Sequence, residues 1–298
     1  MYHVPVLLKE SVEGLQIKPE GIYADITYGG GSHSAEILKS LSKNGLLIAI
    51  DCDPDAHKNK IADNRLNLIH GNYRYLVNYL EYLGIDKIDG IMADFGVSSH
   101  QFDLESRGFS YRLGGSLDMR MNQNQSLTAA DILNNYEEEN LFFIFKKYCD
   151  IKNPGKLISL ITNFRKNNQF HYITDFITAI TPALPTHNDY KYLAQVFQAL
   201  RIAVNDEYHS LIEFLNSCPI ILKPGGRISF ISYHSLEDRA VKNLIKTGNT
   251  EGKIEKDLYG RSFLPFKQIN KHIIIPEDEE INSNPRAKSA KLRIAEKL

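Results

Sequence analysis

The chain has 298 residues, 43% of them hydrophobic and 24% charged, and a formal net charge of −1. That length suits one large domain with an insertion, or two domains, and the near-zero charge excludes a chain that holds polyanions by bulk charge while leaving room for a local basic patch. No apolar run approaches the roughly 20 residues needed to span a bilayer, and Cys52, Cys149 and Cys218 are too scattered for a disulfide framework or a zinc knuckle.

Residues 1–10 are too short and too mixed for a signal peptide, so a soluble cytoplasmic protein is expected. Residues 21–27 (GIYADIT) read as a strand and 28–34 (YGGGSHS) as a glycine-rich turn. A helical period follows over 34–41, with Ile37, Leu38 and Leu41 on one face and Ser32 or Ser34 as N-cap. Gly45 ends that helix, and residues 46–50 (LLIAI) form the continuous apolar run of a strand buried on both faces. Strand, turn, helix and strand within about 30 residues make a βαβ unit.

Further strands are expected at 66–70, 90–94 (GIMAD) and 227–232 (RISFIS), the last after a KPGG turn at 223–226, with a tyrosine-rich helix around 73–83. Strands alternating with helices point to a doubly wound α/β sheet. Residues 95–122, rich in Gly, Ser and Arg, read as a long functional loop. Residues 127–192 read as polar helices broken by Pro154, Pro182 and Pro185, an inserted helical domain. The expected division is a discontinuous sheet domain, 1–118 with 196–298, around an insertion at 119–195 that recognises substrate. After another helix beyond Asp238, residues 272–275 (HIII) and 291–295 (KLRIA) are expected to pair antiparallel at the sheet edge.

Gly29, Gly30 and Gly31 follow the first strand, where absent Cβ atoms let a ligand approach the backbone. Asp51 ends the next strand, where a carboxylate can accept from both ribose hydroxyls of a nucleoside. A dinucleotide fingerprint starting at Gly29 would need a glycine where Ser34 stands. The carboxylates of Asp25 and Asp94, also at strand ends, suit a cationic ligand better than a pyrophosphate. S-adenosyl-L-methionine, a nucleoside carrying a positive sulfur, is the expected cofactor. A nicotinamide oxidoreductase is the runner-up enzyme, and a catalytically silent RNA-binding assembly factor is the reading from another class.

The chain resembles the MraW (RsmH) family of bacterial 16S rRNA cytosine-N4 methyltransferases. The resemblance is carried by HVPVLLKE at 3–10, YADITYGGGSHS at 23–34, AIDCDPDA at 49–56, DGIMADFGVSSHQFD at 89–103 and RGFSYRLGGSLDMRMN at 107–122. It continues in FQALRIAVNDE at 197–207, LKPGGRISFISYHSLEDR at 222–239 and NPRAKSAKLR at 284–293, while residues 152–190 match little. It implies a class I methyltransferase (Rossmann-like) sheet with an inserted helical domain, and 16S rRNA at the ribosomal P site of the small subunit as substrate. Carried over by position, cofactor contacts fall on Gly31, Ser32, His33, Asp51, Tyr73, Asp94 and Gln101. Ile26 and Ser32 stand where the family pattern has glycines, so the turn must tolerate Cβ atoms there.

Cytosine N4 is a poor nucleophile, so its amine must be held in line and relieved of a proton. Asp94 and His234 are the candidate catalytic residues. Asp94 heads Asp94-Phe95-Gly96-Val97 rather than the Asp/Asn-Pro-Pro-aromatic loop of many amino-methyltransferases, and it suits either the amine or the cofactor. A base taken out of its stack needs aromatic and cationic partners. Phe109, Tyr111 and Tyr233 are candidates to stack on it, with core packing as the ordinary alternative. Arg107, Arg112 and Arg120 are candidates for phosphates or base edges, with solvated loop charge as the alternative. Ser235 and Glu237 follow His234 toward the same crevice, and Arg286, Lys288, Lys291 and Arg293 form a possible basic edge. No His/Cys spacing suggests a metal.

Overall fold

The computed structural model describes residues 5–298 except 150, 152, 188, 255, 257, 258, 261 and 263. The HVPVLLKE block therefore begins outside the described residues, at His3 and Val4. Among the described residues seven strands form one sheet: β1 (Ile22–Asp25), β2 (Leu46–Asp51), β3 (Leu66–His70), β4 (Ile88–Asp94), β5 (Leu222–Ser232), β6 (Phe266–Gln268) and β7 (Lys291–Lys297). Their order is β3-β2-β1-β4-β5-β7-β6. The first five are parallel, and β7 runs antiparallel to both β5 and β6. This is a doubly wound, mostly parallel sheet with an antiparallel edge, the architecture expected above.

Alternation along the strands explains the two covered faces. Leu47 and Ala49 of β2 join Tyr23, Met92 and Ile231 in one core, against the helices Leu8–Gly14 and Ser32–Ser40. Ile48 and Ile50 join Ala24, Ile91, Ala93 and Phe230 in the other core, against Leu76–Tyr82, Glu207–Ile221 and Ser235–Thr247. A strand buried on both faces needs apolar residues at every position, which is what LLIAI supplies.

The KPGG segment is an irregularity inside β5 rather than a turn before it. Ile88 pairs with Leu222 and Gly90 with Arg227, so four residues of β5 bulge opposite one residue of β4. Lys223 there reaches Asp89 Oδ2 at 2.7 Å, and Lys18 reaches Asp89 Oδ1 at 3.3 Å. The expected strand at 272–275 is corrected: the partner of β7 is β6, and Ile274 makes only an isolated bridge with Leu292. Asn270 explains this, because its Oδ1 accepts from Ile294 N and its Nδ2 donates to His272 O. The side chain takes a ladder position and bends the chain away from β7.

The chain divides into two compact units, one of residues 1–96 with 209–298 and one of 97–208. Each end of the second unit lies outside the expected 119–195. Residues 97–118 and 196–208 pack with the helices because Leu117 N donates to His171 O and Met121 N to Asn205 Oδ1. Within that unit, Phe145, Ile161, Phe170, Phe176 and Leu200 are fully buried. Thr128 and Asp131 form a capping box at the start of Ala129–Asn135, and Pro154 opens the helix Pro154–Phe164 at a position where no amide is needed. Among the described residues no helix is long and apolar enough to cross a membrane.

Candidate active site

Strand order reverses between β1 and β4, and the carboxyl ends of these strands with β2 and β5 form the crevice where such sheets take ligands. Asp25, Asp51 and Asp94 end β1, β2 and β4. Gly29 and Gly31 both have left-handed backbone, at φ +50° and +78°. At Gly31 a Cβ would lie 2.7 Å from the Tyr28 hydroxyl, whereas at Gly29 the nearest atom would be 3.9 Å away. The first glycine therefore leaves space, and the third lets the turn close onto Tyr28. Tyr28 in turn donates to Asn59 O and accepts from Ile61 N, which ties the turn to the segment after β2.

The three carboxylates are held differently. Asp25 is 1% exposed, and its oxygens accept from Thr27 N at 3.2 Å and Ser34 Oγ at 2.6 Å. It braces the turn from beneath. Asp51 accepts from Gly29 N at 2.7 Å and Asp53 N at 2.8 Å, one amide on each oxygen. A carboxylate offers about four lone-pair directions, so both oxygens keep one for hydroxyl donors. Asp94 accepts the Tyr233 hydroxyl on Oδ1 at 2.8 Å, while its own amide donates to Thr27 Oγ1 at 2.7 Å. Burial pushes all three carboxyls up to about 6, against the hydrogen bonds that lower them. The His33 ring and the Tyr233 hydroxyl oppose the rise at Asp94. Burial and the Asp94 charge push the Tyr233 phenol well up.

The remaining carry-over residues spread around this centre. Ser32 opens the helix Ser32–Ser40 directly after Gly31, and neither it nor Ile26 is among the residues with positive φ. Ile26 is 1% exposed in the core, so both positions accept a side chain without strain. His33 is buried with Nε2 3.2 Å from Val6 O; a carbonyl only accepts, so Nε2 carries a proton. Tyr73 lies edge-on to Phe95 and Phe214, in the aromatic wall under β4 and β5.

Gln101 belongs to the helical unit, where it closes a capping box with Ser98. In that unit Arg107 and Phe109 are 3% and 4% exposed. Arg107 donates to Arg120 O and Met121 O, so the expected substrate contacts by Arg107 and Phe109 give way to building the loop from inside. Arg120 forms a two-pronged pair with Asp118 and donates to Gln125 O, which likewise engages it in the loop. Arg112 is exposed and lies over the Tyr111 ring at 5.7 Å. Tyr111 itself packs edge-on to Phe197.

At the end of β5, His234 is the N-cap of Ser235–Thr247, with Nε2 2.8 Å from Glu237 Oε1. Its ring is turned onto its own helix, Ser235 is exposed, and Tyr233 is the residue that reaches Asp94. The basic edge is also partly corrected. Arg293 is 6% exposed and pairs with Asp238 at 2.8 Å, with Lys291 at 3.7 Å from the same carboxylate; Arg286 and Lys288 remain exposed. Reasoning from the sequence missed Thr27, Ser34 and Tyr28 as the organisers of the site. Their only signal was adjacency to the glycine turn.

A family model described as the MraW methylase family matches residues 1–298. The ribosomal RNA small subunit methyltransferase H of Christiangramia forsetii is 54% identical over 297 residues, covering 100% of this chain and 98% of the relative. Proteins of that name from Parabacteroides distasonis and Flavobacterium johnsoniae are 52% and 50% identical, each alignment covering 100% of this chain and 98% of the relative. The acid-lined crevice and the end-to-end match agree: the chain belongs to the MraW methylase family and is a methyltransferase with S-adenosyl-L-methionine as its methyl donor.

Proposed function

We propose that this methyltransferase acts in the cytoplasm on 16S rRNA of the small ribosomal subunit, methylating N4 of a cytosine at the P site. The observation that carries the reading is the pair of acids at one sheet edge, Asp51 fixed by the amides of the glycine turn and Asp94 held by Tyr233. When bound, the donor supplies an electrophilic methyl group on a positively charged sulfur.

The residues fit that group. Space at Gly29 admits a ligand beside Asp51, whose remaining lone pairs suit two ribose hydroxyls. The carboxylates of Asp25, Asp51 and Asp94 make the crevice favourable for a cation and hostile to a pyrophosphate. Asp94, with one oxygen engaged by Tyr233, accepts an amine hydrogen of cytosine on its other oxygen. That contact lets the N4 lone pair turn out of the ring and gives the departing proton a destination. A carboxyl near 6 is well matched to such work at neutral pH. His234 stands at the N-cap of the following helix, and Gly31, Ser32, His33 and Tyr73 shape the donor pocket. Arg112 and Tyr111 are assigned to the RNA, with residues 97–208 as the recognition unit.

Resemblance in the GVSS, RGFS, LDMRM and HSLEDR blocks supports cytosine N4 over other acceptors. The test is mass spectrometry of nucleosides from small-subunit rRNA, with and without the protein. N4-methylated cytidine should appear only with it; a different methylated nucleoside, or none, would refute the assignment.

A further inference from the structure

We infer that Glu237 is a positioning residue for methyl transfer, fixing the turn after β5 so that the Tyr233 hydroxyl stays on Asp94. Glu237 is 5% exposed, and burying a carboxylate is costly unless its lone pairs are used. Here they are used on the two residues that matter. Oε2 accepts from Tyr233 N at 2.9 Å and His234 N at 3.4 Å, and Oε1 lies 2.8 Å from His234 Nε2. The carboxylate therefore grips the backbone of the residue whose side chain reaches Asp94, and the amide of the next one.

The helix bearing Glu237 is itself anchored. The neighbouring Asp238 is paired with Arg293 of β7, so Glu237 is held from the far side of the sheet edge. Opposite Tyr233, Gly96 has φ +105°, and a Cβ there would sit 3.6 Å from the tyrosine ring. The left-handed φ is what calls for glycine here, since a Cβ would make only ordinary van der Waals contact with the ring. Three elements thus converge on one hydrogen bond: β4 through Asp94, the turn after β5 through Tyr233 and the following helix through Glu237.

The inference rests on the assignment of Asp94 to the reacting end, and it is tested in the protein without donor or RNA. Aspartate carboxyl carbons are labelled for NMR, Asp94→Asn identifies the Asp94 signal, and its titration midpoint is followed. His33, Asp25, Tyr233 and Glu237 all face this carboxyl, and Glu280 also faces Tyr233. As a nearby charge, Glu237 raises the midpoint; as the holder of Tyr233, it lowers it through the phenol's hydrogen bond. The two roles have opposite signs and a double-mutant cycle separates them.

In Glu237→Asp the charge remains and the reach is lost, so the midpoint should rise by about half a pH unit or more. In the Tyr233→Phe background the same substitution should leave it unmoved. Glu237→Gln should likewise shift the midpoint downward more in the Tyr233→Phe background than in the parent. In methyl transfer to small-subunit RNA, Glu237→Asp should lower kcat about tenfold or more, with KM for the donor within about twofold. Equal midpoint shifts in both backgrounds would overturn the inference. Full activity of Asp94→Asn would instead overturn the assignment of Asp94, which keeps the two failures apart.

Discussion

The amide of Gly29 donates a 2.7 Å hydrogen bond to Asp51 Oδ2, joining the turn after β1 to the acid that ends β2. The carboxylate is also fixed by Asp53 N on its other oxygen, so neither oxygen is free to rotate away from the crevice. Preorganisation of this kind lets two hydroxyl bonds form without first ordering the acceptor.

Asp51→Ala should therefore weaken donor affinity by about 2 kcal/mol or more, the worth of one or two hydrogen bonds to a charged group. That is roughly a thirtyfold loss. Calorimetry with S-adenosylhomocysteine reads it without turnover, and an unchanged dissociation constant would remove Asp51 from the ribose role.

The two left-handed glycines of the turn are expected to differ. Gly29→Ala meets only the backbone penalty of a left-handed residue, about 1 kcal/mol, since its Cβ would stand 3.9 Å from the nearest atom. Gly31→Ala adds a collision with Tyr28 at 2.7 Å and should cost about 3 kcal/mol in all. Thermal melting of the two variants without donor should separate by several degrees. In the presence of donor the order of harm narrows, because the space at Gly29 is where ligand is proposed to lie. Equal melting temperatures would mean that Tyr28 yields to the new methyl.

Much of this was legible beforehand for a physical reason. LLIAI and GIMAD are apolar at consecutive positions because both sheet faces are covered, and an acid at the end of such a run can only be at the crevice. The edge of the sheet was less legible. HIII is more apolar than FKQ, yet FKQ is the strand, because the Asn270 side chain takes the hydrogen-bonding place that HIII would have needed. The arginines of the 107–120 loop were legible as a cluster but not as individuals. Arg107 and Arg112 are identical in type, and only the carbonyls of Arg120 and Met121 distinguish the buried one from the exposed one.

The pH dependence follows from three carboxyls pushed up to about 6 by burial. Each binds its proton more tightly in the folded chain than in the unfolded one, where an aspartate titrates near 3.9. Their combined contribution therefore favours the fold below about pH 4 and is lost as pH rises through 6. A cationic donor prefers the ionised acids, so its binding should release protons near pH 6 and weaken as pH falls from 7.5 to 5. Calorimetry in buffers of different ionisation heat measures the released protons directly. Binding with no proton release at pH 6 would contradict the proposed pairing of a positive sulfur with these acids.

Arg112 and Arg107 provide the sharpest separation of recognition from architecture. Arg112 is exposed, and its contact is the face of Tyr111, so Arg112→Ala should leave melting temperature and donor affinity within error while lowering RNA methylation about tenfold. Arg107 is buried with its guanidinium on two backbone carbonyls, and Arg107→Ala leaves those acceptors without their donor. That should cost about 3 kcal/mol of stability. Its loss of methylation should be recovered when assays are run at temperatures where the variant is fully folded, whereas the loss in Arg112→Ala should persist at every temperature and lessen the salt dependence of RNA binding. If Arg112→Ala methylated RNA at the parent rate, the exposed end of this loop would have no part in holding the substrate, and recognition would have to be sought elsewhere on residues 97–208.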